Sequence, residues 1–182
     1  LQGYAGAAPA LQHPVDVWAG LDAIRARLLE RLPSSIRIDV EVDGPAGIVV
    51  GVATRLEQMV QCLVVNATQA LGDGGGEVGI RAQLEDLQAE DLEDPLIPAE
   101  APQPGQYVVL EVSDTGRGME PDTLERAFEP FFTTHPQRQG LGLSAVSGAV
   151  LAHDGALWVD TLPGEGTTRS EERRVGKECR SR

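Results

Sequence analysis

An α+β fold, in which helices cover one face of a mixed sheet, is what this sequence predicts. Three observations carry that expectation. Strand and helix patterns run in the order strand–helix–strand–strand–helix–strand–strand–helix–strand, a mixture that layers helices on a sheet. Residues 53–71 hold one long apolar stripe at helical spacing. Residues 35–43 alternate apolar and polar side chains, the period of a strand with one buried face. The chain has 182 residues, 41% hydrophobic, which suits one soluble domain with a real core. Only 4% is aromatic, so that core must be aliphatic.

The elements follow in order. Val15–Val17 reads as a short strand. "WAGLDAIRARLLERL" (18–32) places Leu21, Ile24, Leu28 and Leu32 on one helical face. "SIRIDVEVD" (35–43) is a strand, and "GIVVGV" (47–52) is another after a Gly-Pro turn. "ATRLEQMVQCLVVNATQAL" (53–71) aligns Leu56, Met59, Val60, Leu63, Val64, Ala67 and Leu71, and "GDGGG" stops it. "EVGIRAQL" (77–84) is a strand. The acidic, proline-containing stretch 85–106 reads as a solvated loop, long for a compact domain. "YVVLEVSD" (107–114) is the next strand. A helical turn is expected in 120–128 and a mobile segment in 129–139. A glycine-led helix follows over 140–155, then a strand over 156–161 and a turn over 163–168.

Charge and composition exclude some roles. A formal net charge of −13 argues against a nucleic-acid surface or a polybasic membrane contact. No apolar run approaches a membrane span, and no secretory signal pattern opens the chain. The first residue is Leu1 rather than Met, so a piece of a longer protein is expected. Two cysteines, Cys62 and Cys179, make no disulfide framework or metal site, and a reducing, cytoplasmic setting is expected. The two ends differ from the rest. Residues 1–14 read as a linker, or as the end of a dimerisation helix. The basic tail 169–182 resembles the in-frame translation of a sequencing adapter and is expected to be foreign to the domain.

Three stretches carry candidate chemistry. "SDTGRGM" (113–119) sets Asp114 at a strand end beside Gly116 and Gly118. Taken alone, that is a turn, because Asp bonds its own backbone and Gly accepts positive φ. On helix 53–71, Cys62, Asn66 and Gln69 share a face opposite the apolar stripe. Asn there is either a solvent-facing residue or an oxygen donor to a hard cation beside phosphates. "GLGLS" (140–144) opens a helix with glycines, either for close packing or to bring amides to a phosphate.

Together, "LEQMVQCLVVNATQAL", "VSDTGRGM", "FEPFFTT", "GLGLS" and "GEGTT" stand in the order of the N, G1, F and G2 boxes and the final turn of sensor histidine kinases. The chain over 15–168 thus resembles a histidine kinase-like ATP-binding domain, of the subclass with "FEPFFTTK"-like F boxes. The resemblance implies the two-layer Bergerat-type fold and ATP with Mg²⁺ as cofactors. It implies that Asp114 accepts from the adenine amine and that Gly116, Gly118 and Met119 close over base and ribose. It further implies that Asn66, the metal residue, and Gln69 meet Mg²⁺ and phosphates. Phe131 and Phe132 belong to the lid; Gly140, Leu141, Gly142 and Leu143 start the phosphate-side helix; Thr167 serves the adenine end. The implied partners are a His-containing dimerisation domain and a response regulator, with a homodimeric full-length protein whose membrane anchor, where it has one, lies outside this domain.

Three departures stand out. Cys62 occupies a place where the family has Asn, or Glu in hydrolysing relatives. The lid "HPQRQGLGLS" is short and carries Arg138-Gln139 where Gly-Thr is usual. The last strand after "GTT" is replaced by the basic tail. A γ-phosphoryl donor, an ATP-hydrolysing relative of the gyrase type and a non-enzymatic nucleotide-binding module all remain open on the sequence. Cys62 counts against the second, because a thiol is no substitute for a carboxylate base.

Overall fold

The computed structural model describes residues 12–30, 32–45, 47–97, 102–135 and 138–167, with the backbone of 176–177. The expected linker up to residue 11, and the tail apart from 176–177, lie outside the described residues.

The elements are β1 (His13–Asp16), α1 (Val17–Leu29), β2 (Ile36–Asp43), β3 (Ile48–Gly51) and α2 (Ala53–Leu71), followed by β4 (Gly76–Leu87) and β5 (Gly105–Asp114). Then come α3 (Pro121–Arg126), α4 (Gly142–Leu151), β6 (Thr161–Leu162), β7 (Gly166–Thr167) and β8 (Gly176–Lys177). The main sheet runs β2-β4-β5-β7-β6, with β8 also on β5; β1 and β3 form a separate ribbon. The main sheet is mixed: β2 lies parallel to β4, and β4 antiparallel to β5.

Alternation decides which face of the sheet is covered. Val78, Ile80 and Ala82 of β4 and Val108, Leu110 and Val112 of β5 pack beneath Leu21, Ile24, Met59, Val60, Val64 and Val146 from the helices. Those aliphatic side chains form the main core, the Val, Leu, Ile and Met ones each stabilising by about 1.5–3 kcal/mol on burial. Asp16 caps α1 by accepting from the Ala19 amide at 3.1 Å. Val52 caps α2 without a side-chain bond. Its own amide donates to Nε2 of buried His153 at 3.0 Å, while Nδ1 of that ring bonds the Ala149 carbonyl at 2.7 Å. One imidazole thus ties the start of α2 to the end of α4.

Three expectations are corrected. Within the expected loop 85–106, residues 85–97 are not a solvated loop. Strand β4 continues to Leu87, a 3₁₀ turn follows at Ala89–Leu92, and Leu92 is fully buried. It joins Tyr107, Val109, Ala156 and Trp158 in a second core on the sheet's other face. The Trp158 indole donates to the Glu93 carbonyl at 2.9 Å. Residues 156–160 are not a regular strand, because Leu157 bonds this strap instead: its amide reaches Ile97 at 2.7 Å and its carbonyl takes the Leu96 amide at 2.8 Å. Finally, the edge of β5 expected to lack its last strand carries β8, which sets Lys177 and Gly176 against Val108 and Val109.

A candidate nucleotide cleft

The apolar row of β5 that faces the helices ends on Asp114. The same alternation that buries Val108, Leu110 and Val112 therefore carries a carboxylate under α2, where it is 9% exposed. Its Oδ1 accepts from the Gly116 amide at 2.9 Å and the Thr167 amide at 3.3 Å. Burial pushes the Asp114 carboxyl above the usual carboxylate range, and the Gly116 and Thr167 hydrogen bonds pull it part of the way back. Gly118, at φ +63°, is required by the turn: a Cβ there would sit 2.0 Å from the Leu162 carbonyl oxygen. The Met119 amide donates to Thr161 Oγ1 at 2.9 Å, which joins this loop to the β6–β7 hairpin.

Asp114 opens onto a cleft of about 1010 Å³ between α2, the loop after β5, the segment before α4 and the β6–β7 hairpin. From α2 it is lined by Gln58, Gln61, Cys62, Asn66 and Gln69. Gly118 and Met119 line it from the loop, Gly140, Leu141, Gly142 and Leu143 from the start of α4, and Thr167 from β7. Gly140, at φ +66°, has its Cβ direction blocked by the Phe131 carbonyl carbon at 2.5 Å, whereas a Cβ on Gly142 would meet nothing within 4 Å. Gly142 thus leaves open room on the cleft side of a helix start, where amides and the helix dipole favour an anion.

Two of the residues singled out from the sequence lie elsewhere. Gly116 stands behind the cleft wall and acts through its amide on Asp114. Phe131 points away at 75% exposure, and it is Phe132 that lines the cleft, stacked under Arg126 with the guanidinium 4.4 Å from the ring centre. Sequence reasoning passed over Arg117, Thr134 and His135, which also line the cleft. The signal for Arg117 was present: a charged side chain fixed between two glycines.

The donor set suits a hard cation carried by a ligand. Among the described residues no group of three or more His, Cys, Asp or Glu side chains could cage a metal. The α2 face instead offers neutral amides, with Asn66 the oxygen donor at its centre. Mg²⁺ is commonly held this way, by substrate phosphates, water and few protein oxygens. Burial pushes the Cys62 thiol up, so it remains a neutral thiol, poor as a ligand and as a base.

Known proteins share this architecture. A family model described as histidine kinase-, DNA gyrase B- and HSP90-like ATPase matches residues 51–170. The chain is 35% identical over 161 residues to the sensor kinase CckA of Brucella abortus, across 84% of this chain and 16% of CckA. It is 36% identical over 143 residues to the two-component sensor PprA of Pseudomonas aeruginosa, across 78% of this chain and 14% of PprA. The chain therefore spans a small part of these relatives. Among solved structures, the mycobacterial sensor histidine kinase MprB superposes with a TM-score of 0.63 at 31% identity, covering 86% of this chain and 92% of that one. Full-length ShkA in complex with AMPPNP superposes with a TM-score of 0.66 at 27% identity, covering 89% and 31%.

Proposed function

We propose, since this chain belongs to the histidine kinase-, DNA gyrase B- and HSP90-like ATPase family as the catalytic ATP-binding domain of a sensor histidine kinase, that it holds Mg·ATP and delivers the γ-phosphoryl to a His on a separate dimerisation domain. The observation that carries the reading is the buried Asp114 at the cleft floor, aligned by two backbone amides. An acceptor-only carboxylate suits the exocyclic amine of adenine and meets guanine's carbonyl oxygen unfavourably. From that anchor the triphosphate extends between Asn66 and Gln69 on α2 and the open start of α4 at Gly142.

Phosphoryl transfer is catalysed mostly by positioning and charge. The chain's part is to fix the adenine, to expose the γ-phosphorus to an incoming imidazole nitrogen, and to keep ADP as the leaving group. The new P–N bond forms as the bond to the bridging oxygen breaks, and ADP takes the electron pair. Hydrolysis is not supported, because Cys62 offers no carboxylate to activate water. The full-length protein would be a homodimer that passes phosphate to a response regulator in the cytoplasm, where ATP is available. A nucleotide-binding regulatory module without transfer is the second reading, favoured by Cys62 and by Arg138 in the lid.

Incubation with γ-labelled ATP and a purified dimerisation domain tests the proposal. Label is expected on the added domain and not on this chain, whose His153 is buried and bonded through both ring nitrogens. Label that stays in ATP, with ATP bound, would favour the regulatory module.

A further inference from the structure

Arg117 makes more connections than its place in a glycine loop requires. Its amide donates to the Ala70 carbonyl at the end of α2 at 3.0 Å, and its carbonyl accepts from the Gly164 amide of the β6–β7 hairpin at 2.7 Å. Its side chain turns the other way. Nη2 donates to Thr134 Oγ1 at 3.0 Å and lies 3.1 Å from His135 Nε2. A guanidinium only donates, so Nε2 is the accepting nitrogen of this contact. Thr134 and His135 line the cleft, and the Arg138 amide bonds back to the His135 carbonyl at 3.1 Å. The 131–135 segment is also held by Arg126 over Phe132 and by the Phe131 amide on the Gly140 carbonyl at 2.9 Å.

His135 stands where the "FEPFFTTK" pattern has Lys. An ammonium has no lone pair to offer Arg117 and would repel it, whereas a neutral imidazole accepts. Arg117 and His135 are therefore a matched donor and acceptor.

We propose that Arg117 is a positioning residue that latches the 131–135 segment to the loop on the adenine side, so that seating the base orders that segment. The proposal rests on the reading of the cleft as an ATP site. The two backbone bonds of Arg117 join its loop to α2 and the hairpin, so the side chain follows the loop. When adenine fills the space beside Asp114 and Gly118, the loop loses freedom, and the Arg117 fork passes that restraint to Thr134 and His135. Phosphate contacts are not needed for this coupling.

Hydrogen–deuterium exchange of the whole chain tests the latch. In the free protein, Arg117→Ala and His135→Lys are expected to speed exchange of the Phe131, Phe132 and His135 amides by roughly three- to tenfold, as for a partly exposed charged bond. Exchange across 107–112 should not change. His135→Asn, whose amide oxygen accepts, should keep the wild-type rate. Adenosine, a probe without phosphates, should slow exchange at 131–135 in the wild type but not in Arg117→Ala, while slowing 113–119 in both. Unchanged free-protein exchange at 131–135 in both Arg117→Ala and His135→Lys overturns the latch. So does adenosine protection of 131–135 that survives Arg117→Ala. Adenosine that protects no segment of the wild type contradicts the ATP reading instead, and the free-protein comparison then decides the latch alone.

Discussion

Asp114 combines burial with a need to be ionised, and that tension is measurable. Its carboxyl sits above the usual range because burial penalises the charge. The folded chain therefore holds this proton to a higher pH than the unfolded chain does. Its contribution to stability is present at acid pH and is lost as the pH rises through the raised value. Adenine binding runs the opposite way, since the ionised form is the acceptor. ATP affinity should fall as the pH drops through that same value, above the range where an ordinary carboxylate titrates. Asp114→Asn should flatten both profiles, and calorimetry across the acid range checks it. Cys62 makes the second prediction at this scale. It lines the cleft one turn before Asn66, as a neutral thiol. Cys62→Asn should tighten Mg·ATP more than ADP, because an amide can serve the terminal phosphate and its cation. An unchanged ATP-to-ADP affinity ratio would make Cys62 a packing residue only. Sequence patterns brought Asp114, Asn66 and Thr167 to notice because their motifs are local. The contacts of Arg117 with Thr134 and His135, and the choice of Phe132 over Phe131 as the cleft residue, depend on where the 131–135 segment folds back, which no spacing encodes.

Helix α2 was legible to the residue, 53–71 in both sequence and structure, because its apolar stripe has one period and glycines end it. The strap over 85–97 was not, because its acidic surface hides a buried anchor, Leu92, that packs with Tyr107 and Trp158. The strand expected over 156–161 failed for the same reason, its bonds being taken by that strap. The start of α4 separates two roles of glycine. Gly140→Ala should destabilise the fold, by about 1 kcal/mol or more, through positive φ and a backbone clash. Gly142→Ala should leave the melting temperature close to wild type, because its Cβ meets open space, yet weaken ATP by crowding the phosphate end. Thermal melts with and without ATP distinguish the two. Equal loss of stability in both variants would place Gly142 in packing rather than in the site.

Across the whole molecule, a mixed sheet carries its helices and its main core on one face, and the strap seals part of the other. The cleft sits on the helix side, at the end of β5, so one carboxylate, one amide-bearing helix face and one open helix start meet there. Most of that architecture followed from periodicity. The volume of the cleft and the turning-out of Phe131 came from packing between distant segments. With a formal net charge of −13, the chain is a poor general binder of anions, so a bound nucleotide must be recognised by local groups rather than by overall field. Titration of the chain with ATP, ADP and GTP in the presence of Mg²⁺ is the most direct test of that recognition. ATP and ADP should bind, GTP should bind at least roughly tenfold more weakly, and Asp114→Ala should cost the adenine nucleotides about 1.5–3 kcal/mol. Equal affinity for ATP and GTP, or no effect of Asp114→Ala, would contradict the account.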